Sequence, residues 1–192
     1  MKTPAGYMIR SLGFLFLGLL LACPASAESG DHSVGLMVGQ VWPAGEIGRD
    51  LDGTVGGGLS YEFAASEVFS LYAQGVHSSH NEGALKVTST NLGMKAHLVY
   101  YDKLAPYVLV GAGLYFVKKN VAPPPVPETA EKAVFGFHLG LGAELDVSEI
   151  VFVGLEFDIH SLFAGTATTP SGRRVEISGR WTGFFLRGGV RF

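Results

Sequence analysis

Of its 192 residues the chain spends one on cysteine, Cys23. A single thiol leaves no intrachain disulfide and no metal site built from cysteines. The chain also lacks any apolar stretch of about 20 residues, the length a helix needs to cross a bilayer. Past the first residues, no segment repeats apolar side chains at helical spacing over three turns. Basic residues number 14 against 17 acidic ones and gather into no stripe, so nucleic acid is not an expected partner. No proline-rich or charged linker cuts the chain, and one domain is expected.

The start of the chain reads as a leader. Lys2 and Arg10 form a positive region, residues 11–22 (SLGFLFLGLLLA) are apolar, and ASA at 25–27 is a small-x-small cleavage site. That combination is a secretory signal peptide over residues 1–27, leaving residues 28–192 as the domain. A rival reading is a lipoprotein signal, because LLAC places Cys23 after a small residue; Leu21 and Pro24 suit it poorly. If cleavage follows Ala27, the only thiol leaves with the leader. The basic count then falls to 12, and the mature chain carries a net charge near −5.

What the sequence has in excess is glycine, 27 residues, about twice the usual share of roughly 7%. Sixteen of them fall within runs of period two, at about 33–41, 54–64, 68–78, 87–101, 106–118, 134–146, 150–163 and 180–192. Eight alternating strands of this length suit crossing a membrane as a tilted barrel, which takes about 9–11 residues per strand. The links are expected to alternate, short at 65–67, 102–105 and 148–149, long at 42–53, 79–86, 119–133 and 164–179. Successive links of an up-and-down barrel lie at opposite rims, so short turns would gather at one rim and long loops at the other. The loop 119–133 holds the run Pro123–Pro125, which donates no backbone hydrogen bonds and belongs in water.

Alternation alone does not say which face meets lipid. One set holds Val55, Leu59, Tyr61, Phe63, Phe135, Phe137, Leu139, Leu141, Leu145, Val153, Leu155, Phe157 and Ile159. The other holds Gly56, Gly58, Ser60, Glu62, Gly136, His138, Gly140, Gly142, Glu144, Gly154, Glu156 and Asp158. A soluble barrel would put the first set inside. A water-facing surface has no use for so many glycines, whereas a narrow lumen does, because eight strands leave room only for packed side chains. The second set is therefore read as the interior. Lys95, Arg187 and Arg191 are expected there, opposite Glu62, Glu144, Glu156 and Asp158, as a paired network that either plugs the lumen or gates a narrow ion path. The closing strand, WTGFFLRGGVRF, then turns Phe184, Leu186, Val190 and Phe192 to hydrocarbon.

PYVLVGAGLYF (106–116), FGFHLGLGAELDVSEIVFVGLEFDI (135–159) and FFLRGGVRF (184–192) resemble the small bacterial outer-membrane β-barrels of the OmpA-like and OmpW-like group. The resemblance implies an all-β fold, an eight-stranded antiparallel up-and-down transmembrane β-barrel in the bacterial outer membrane with both termini in the periplasm. It implies that Phe192, with Val190, Leu186 and Phe184, serves as the signal read by the barrel-assembly machinery and its periplasmic chaperones. Outer-membrane lipid or lipopolysaccharide is the surrounding partner, and OmpW-like relatives suggest a small hydrophobic ligand. No cell-wall-binding domain is expected after the barrel. The functional expectation is a structural or surface-interaction role in the envelope, with a narrow channel or hydrophobic conduit as the alternative.

Other chemistries have weaker signals. VHSSHNEG (76–83) gathers His77, Ser79 and His80, and EFDIHS (156–161) gathers Glu156, Asp158 and His160. Some outer-membrane lipid A deacylases use Ser, His and an acid with a His-x-Ser motif; His77-x-Ser79 matches it loosely and too early in the chain. No catalytic residue is therefore assigned, and the protein is expected not to be an enzyme. His77, His80 and His160 have no diagnostic metal spacing, and no metal or cofactor is expected. Gly111 to Gly113 lies inside a strand and is not a nucleotide loop. Tyr100, Tyr101, Tyr107, Trp42 and Trp181, near strand ends, read as interfacial girdle residues.

Overall fold

A computed structural model describes residues 32–48, 51–99, 101–121 and 128–192. The leader, Cys23, Tyr100 and the Pro123–Pro125 run lie outside the described residues. The rest forms eight strands: β1 (His32–Ala44), β2 (Thr54–Ala64), β3 (Phe69–His80), β4 (Leu85–His97), β5 (Leu104–Asn120), β6 (Thr129–Asp146), β7 (Val151–Thr168) and β8 (Arg174–Arg191). Each pairs antiparallel with its sequence neighbour, and β8 returns to β1, closing the barrel. The seam runs from Ser33 opposite Arg191 to Ala44 opposite Arg180. His32 and Phe192 exchange backbone hydrogen bonds of 3.2 and 2.9 Å at its end. Closure leaves no unpaired edge, which a bilayer would not tolerate.

The two rims differ, but not as link length suggests. The rim holding both strand termini, the terminal rim, carries the links 65–68, 98–103 and 147–150; the opposite, loop rim carries 45–53, 81–84, 121–128 and 169–173. The expected long loop 164–179 is mostly strand, and 119–133 is strand at both ends. β6 begins at Thr129, and β7 and β8 extend through Thr168 and from Arg174, so β6, β7 and β8 each span 18 residues. At 81–84 the link is a tight turn in which Asn81 and Glu82 take φ of 43° and 55°. The asymmetry between rims therefore comes mainly from strands that continue past the apolar band.

The glycines of the interior make room for large neighbours. A Cβ on Gly142 would sit 2.5 Å from the Tyr107 ring, and one on Gly136 would sit 2.8 Å from the Tyr115 ring. The lipid band is the expected one: Leu36, Leu59, Leu92, Val110, Phe137, Leu139, Leu155 and Leu186 all project outward and stay exposed.

Candidate functional site: the lumen

On the terminal side of the lumen, alternation along β2, β4, β6, β7 and β8 delivers one charged side chain after another to one closely paired cluster. Lys95 Nζ lies 2.8 Å from Glu62 Oε2 and 2.5 Å from Glu144 Oε1. Arg187 spans the centre, with Nη2 2.5 Å from Glu62 Oε1 and Nη1 3.1 and 2.9 Å from Glu144 Oε1 and Glu156 Oε2. Its Nη2 also donates to Ser60 Oγ at 3.0 Å. Arg191 joins Glu144 to Asp146 nearer the rim, at 3.3 and 2.5 Å. Glu62, Lys95, Glu144, Glu156 and Arg187 are buried, so each charge survives on its partners alone.

Six of the seven charged residues read from the sequence meet in this cluster. Asp158 does not join it by an ion pair to lysine or arginine among the described residues. Two positions further along β7, it points into the lumen one row closer to the loop rim, where His160 Nε2 stands 3.9 Å from its Oδ2.

Tyr107 belongs to this cluster and corrects an expectation. It is 1% exposed, its hydroxyl donates to Glu156 Oε2 at 2.8 Å and accepts from Arg187 Nη1 at 3.0 Å. Lys95 Nζ sits 4.1 Å above its ring, a cation–π contact. Trp181 is likewise no girdle residue: it is fully buried in the lumen. Both errors came from reading nearness to a strand end as nearness to an interface. Parity was the better signal, because Trp181 alternates in phase with Arg187. Trp42 and Tyr101 are exposed on the outside, as a girdle requires.

Between the charges and the loop rim lies an aromatic layer that sequence reasoning did not assemble. His138 and His160 face each other across β6 and β7 with rings stacked at 5.0 Å. Tyr72 hydrogen-bonds His138, and Tyr115 OH lies 2.8 Å from His160 Nδ1. Trp181 packs edge-on against His160 at 4.4 Å, and its Nε1 donates to Ser78 Oγ at 3.3 Å. Toward the loop rim the interior turns apolar, with Ile47, Leu85, Val87, Val117 and Ile177 in one buried cluster, which reaches down through Phe185 and Met37 to the level of Glu156 and Arg187.

The histidines considered for chemistry part company. His77 points outward, its Nδ1 2.8 Å from Thr88 Oγ1. His80 points inward, its Nε2 3.1 Å from the Ser78 hydroxyl. Among the described residues no three His, Cys, Asp or Glu side chains come together as a metal site. A cavity of about 280 Å³ enters from the terminal rim, lined in part by His32, Ser33, Glu62, His97, Glu144 and Arg191. The ion-paired layer forms its floor.

A closed sheet with a polar interior and a continuous apolar exterior defines an integral membrane β-barrel. The chain belongs to the outer membrane protein beta-barrel domain family, whose model matches residues 12–187, and its place is the bacterial outer membrane. No curated protein matches the sequence. Among solved structures it is similar to Neisserial surface protein A, at 10% identity and a TM-score of 0.67 over 86% of this chain and all of that one. It is also similar to OprG of Pseudomonas aeruginosa, at 12% identity and 0.63 over 86% and 97%. Ail, the attachment invasion locus protein of Yersinia pestis solved with the heparin analogue sucrose octasulfate, matches at 15% identity and 0.55 over 86% and 100%. Identities this low carry the fold and nothing finer.

Proposed function

We propose that this protein is a closed outer-membrane barrel with a structural or surface-contact role in the envelope, and that it is neither a transporter nor an enzyme. The observation that carries the reading is the filled lumen. Arg187, Lys95 and their carboxylates occlude the terminal half, and the cluster around Trp181 and Ile177 occludes the loop half. An ion entering from the terminal rim would cross the cavity and then have to break buried charge pairs. In this reading residues 1–27 are cleaved, both termini are periplasmic, and the loop rim faces the outside. Ail, an attachment protein by name, supports a barrel of this shape serving surface contact.

The alternative, a narrow channel or a conduit for small hydrophobic molecules, rests on the cavity at the terminal rim. Single-channel recording in planar bilayers separates the two. The closed reading expects no conductance steps from the wild-type barrel; steady steps that change selectivity in Glu156→Ala would assign the function to the lumen.

Assembly is part of the same proposal. Phe184, Leu186, Val190 and Phe192 are all exposed along the outer face of β8, the strand that closes the barrel, and form the pattern offered to the assembly machinery. Replacing Phe192 with Ala should lower the amount of assembled barrel in cells while leaving refolding into detergent unchanged.

A further inference from the structure

The outer face of the barrel is not uniform around its circumference. Strand register sets out rows of outward side chains, and one row reads Ser79, Lys86, Lys118 and Glu131 across β3, β4, β5 and β6. Lys86 and Lys118 are direct cross-strand partners, a like-charge placement that destabilises a sheet unless an anion offsets it. Lys118 has Glu131 at 2.5 Å. Lys86 has no acidic partner among the described residues. One row below, toward the membrane, stand His77, Thr88 and Phe116; the next holds Gly75, Thr90 and Leu114. In the register rows in which β5 and β6 present Phe116, Leu114 and Phe135 to lipid, β3 and β4 thus present glycine, two threonines and a histidine. The apolar band dips there into a polar notch, and the lysine pair stands directly above it.

We propose that this notch docks the phosphorylated headgroup of an outer-leaflet lipid. Lys86 and Lys118 would hold the phosphate by charge-assisted hydrogen bonds, with Thr88 and His77 offering further polar contacts below. The small side chains of β3 and β4 leave space for a headgroup deeper than the neighbouring phenylalanines would permit. Charge, height above the lipid band and the missing bulk all coincide on this one side of the barrel. The inference rests on the proposal that the loop rim faces outward.

The test uses the barrel refolded into phosphatidylcholine vesicles with or without bis-phosphorylated lipid A, reading the thermal midpoint from heat-induced loss of the compact form on gels. The wild-type midpoint should rise with lipid A. The double variant Lys86→Gln, Lys118→Gln should lose more than half of that rise, whereas Lys103→Gln, an exposed cation of the terminal rim, should keep it. Dephosphorylated lipid A should give the wild type no rise. The proposal is overturned if the wild type does not respond, if the double variant responds in full, or if dephosphorylated lipid A works equally well. An equal rise from inorganic phosphate alone would make this a free-anion site and overturn it too. Vesicles offer lipid A in both leaflets, so these outcomes do not depend on orientation; cleavage by external protease at 169–173 in intact cells tests that separately.

Discussion

β8 holds two opposite design rules in one strand. From Gly183 to Arg191 its inward residues include Arg187 and Arg191, and its outward ones are Phe184, Leu186 and Val190. From Arg174 to Trp181 the polarity inverts: Ile177 and Trp181 point in, while Arg174, Glu176 and Arg180 point out. β4 repeats the pattern, with Lys95 inside and Leu92 and Met94 outside near the terminal rim, then Leu85 and Val87 inside and Lys86 outside near the loop rim. The solvent outside explains the switch. Where the wall meets hydrocarbon, the polar side chains have only the lumen to occupy. Where it has risen into water, the wall is a soluble barrel, and burying apolar side chains inside is again favourable. One closed sheet is thus held by ion pairs at one end and by a hydrophobic core at the other.

The sharpest way to break that contrast is Arg187→Ala. It leaves Glu156 with no cationic partner among the described residues and Glu62 and Glu144 sharing Lys95, and the expected cost is about 5 kcal/mol, near the upper end for an unpaired buried charge. The urea midpoint of the refolded barrel should collapse. In the loop half, Trp181→Ala removes apolar volume and strands no charge, so about 3–4 kcal/mol is expected from the cavity, with the barrel still folding. Equal losses at both sites would argue against two distinct modes of support. On the outer wall, Leu139→Arg should cost about 2–4 kcal/mol because it faces the bilayer. Glu176→Arg, outward on the water-exposed extension, should shift stability by less than about 0.5 kcal/mol. Lys118→Ala, which opens the exposed pair with Glu131, should likewise cost less than about 1 kcal/mol, falling toward zero in high salt.

Much of this was legible because a strand writes its two environments into alternate letters. The glycines opposite apolar residues identified the lumen face, and through it Glu62, Lys95, Glu144, Glu156 and Arg187. The same reasoning failed where the outside solvent changes. Residues 164–179 lack the apolar-out pattern and so resembled a loop, although Val175 and Ile177 alternate with Arg174 and Glu176 as a water-exposed strand does. Tyr107 and Trp181 were placed at the interface because a ring near a strand end has two plausible homes. Only the register decides between them.

By itself, then, the sequence determined the strand count, the order of pairing and which face of the membrane-crossing wall meets lipid, because each follows from local periodicity and chain order. Tertiary structure alone decided which charges meet. Lys95 and Glu144, or Arg187 and Glu62, come from strands far apart in the chain, and their contact depends on how far each strand is staggered when the ring closes. The same stagger brings Lys86 beside Lys118 on the outer wall.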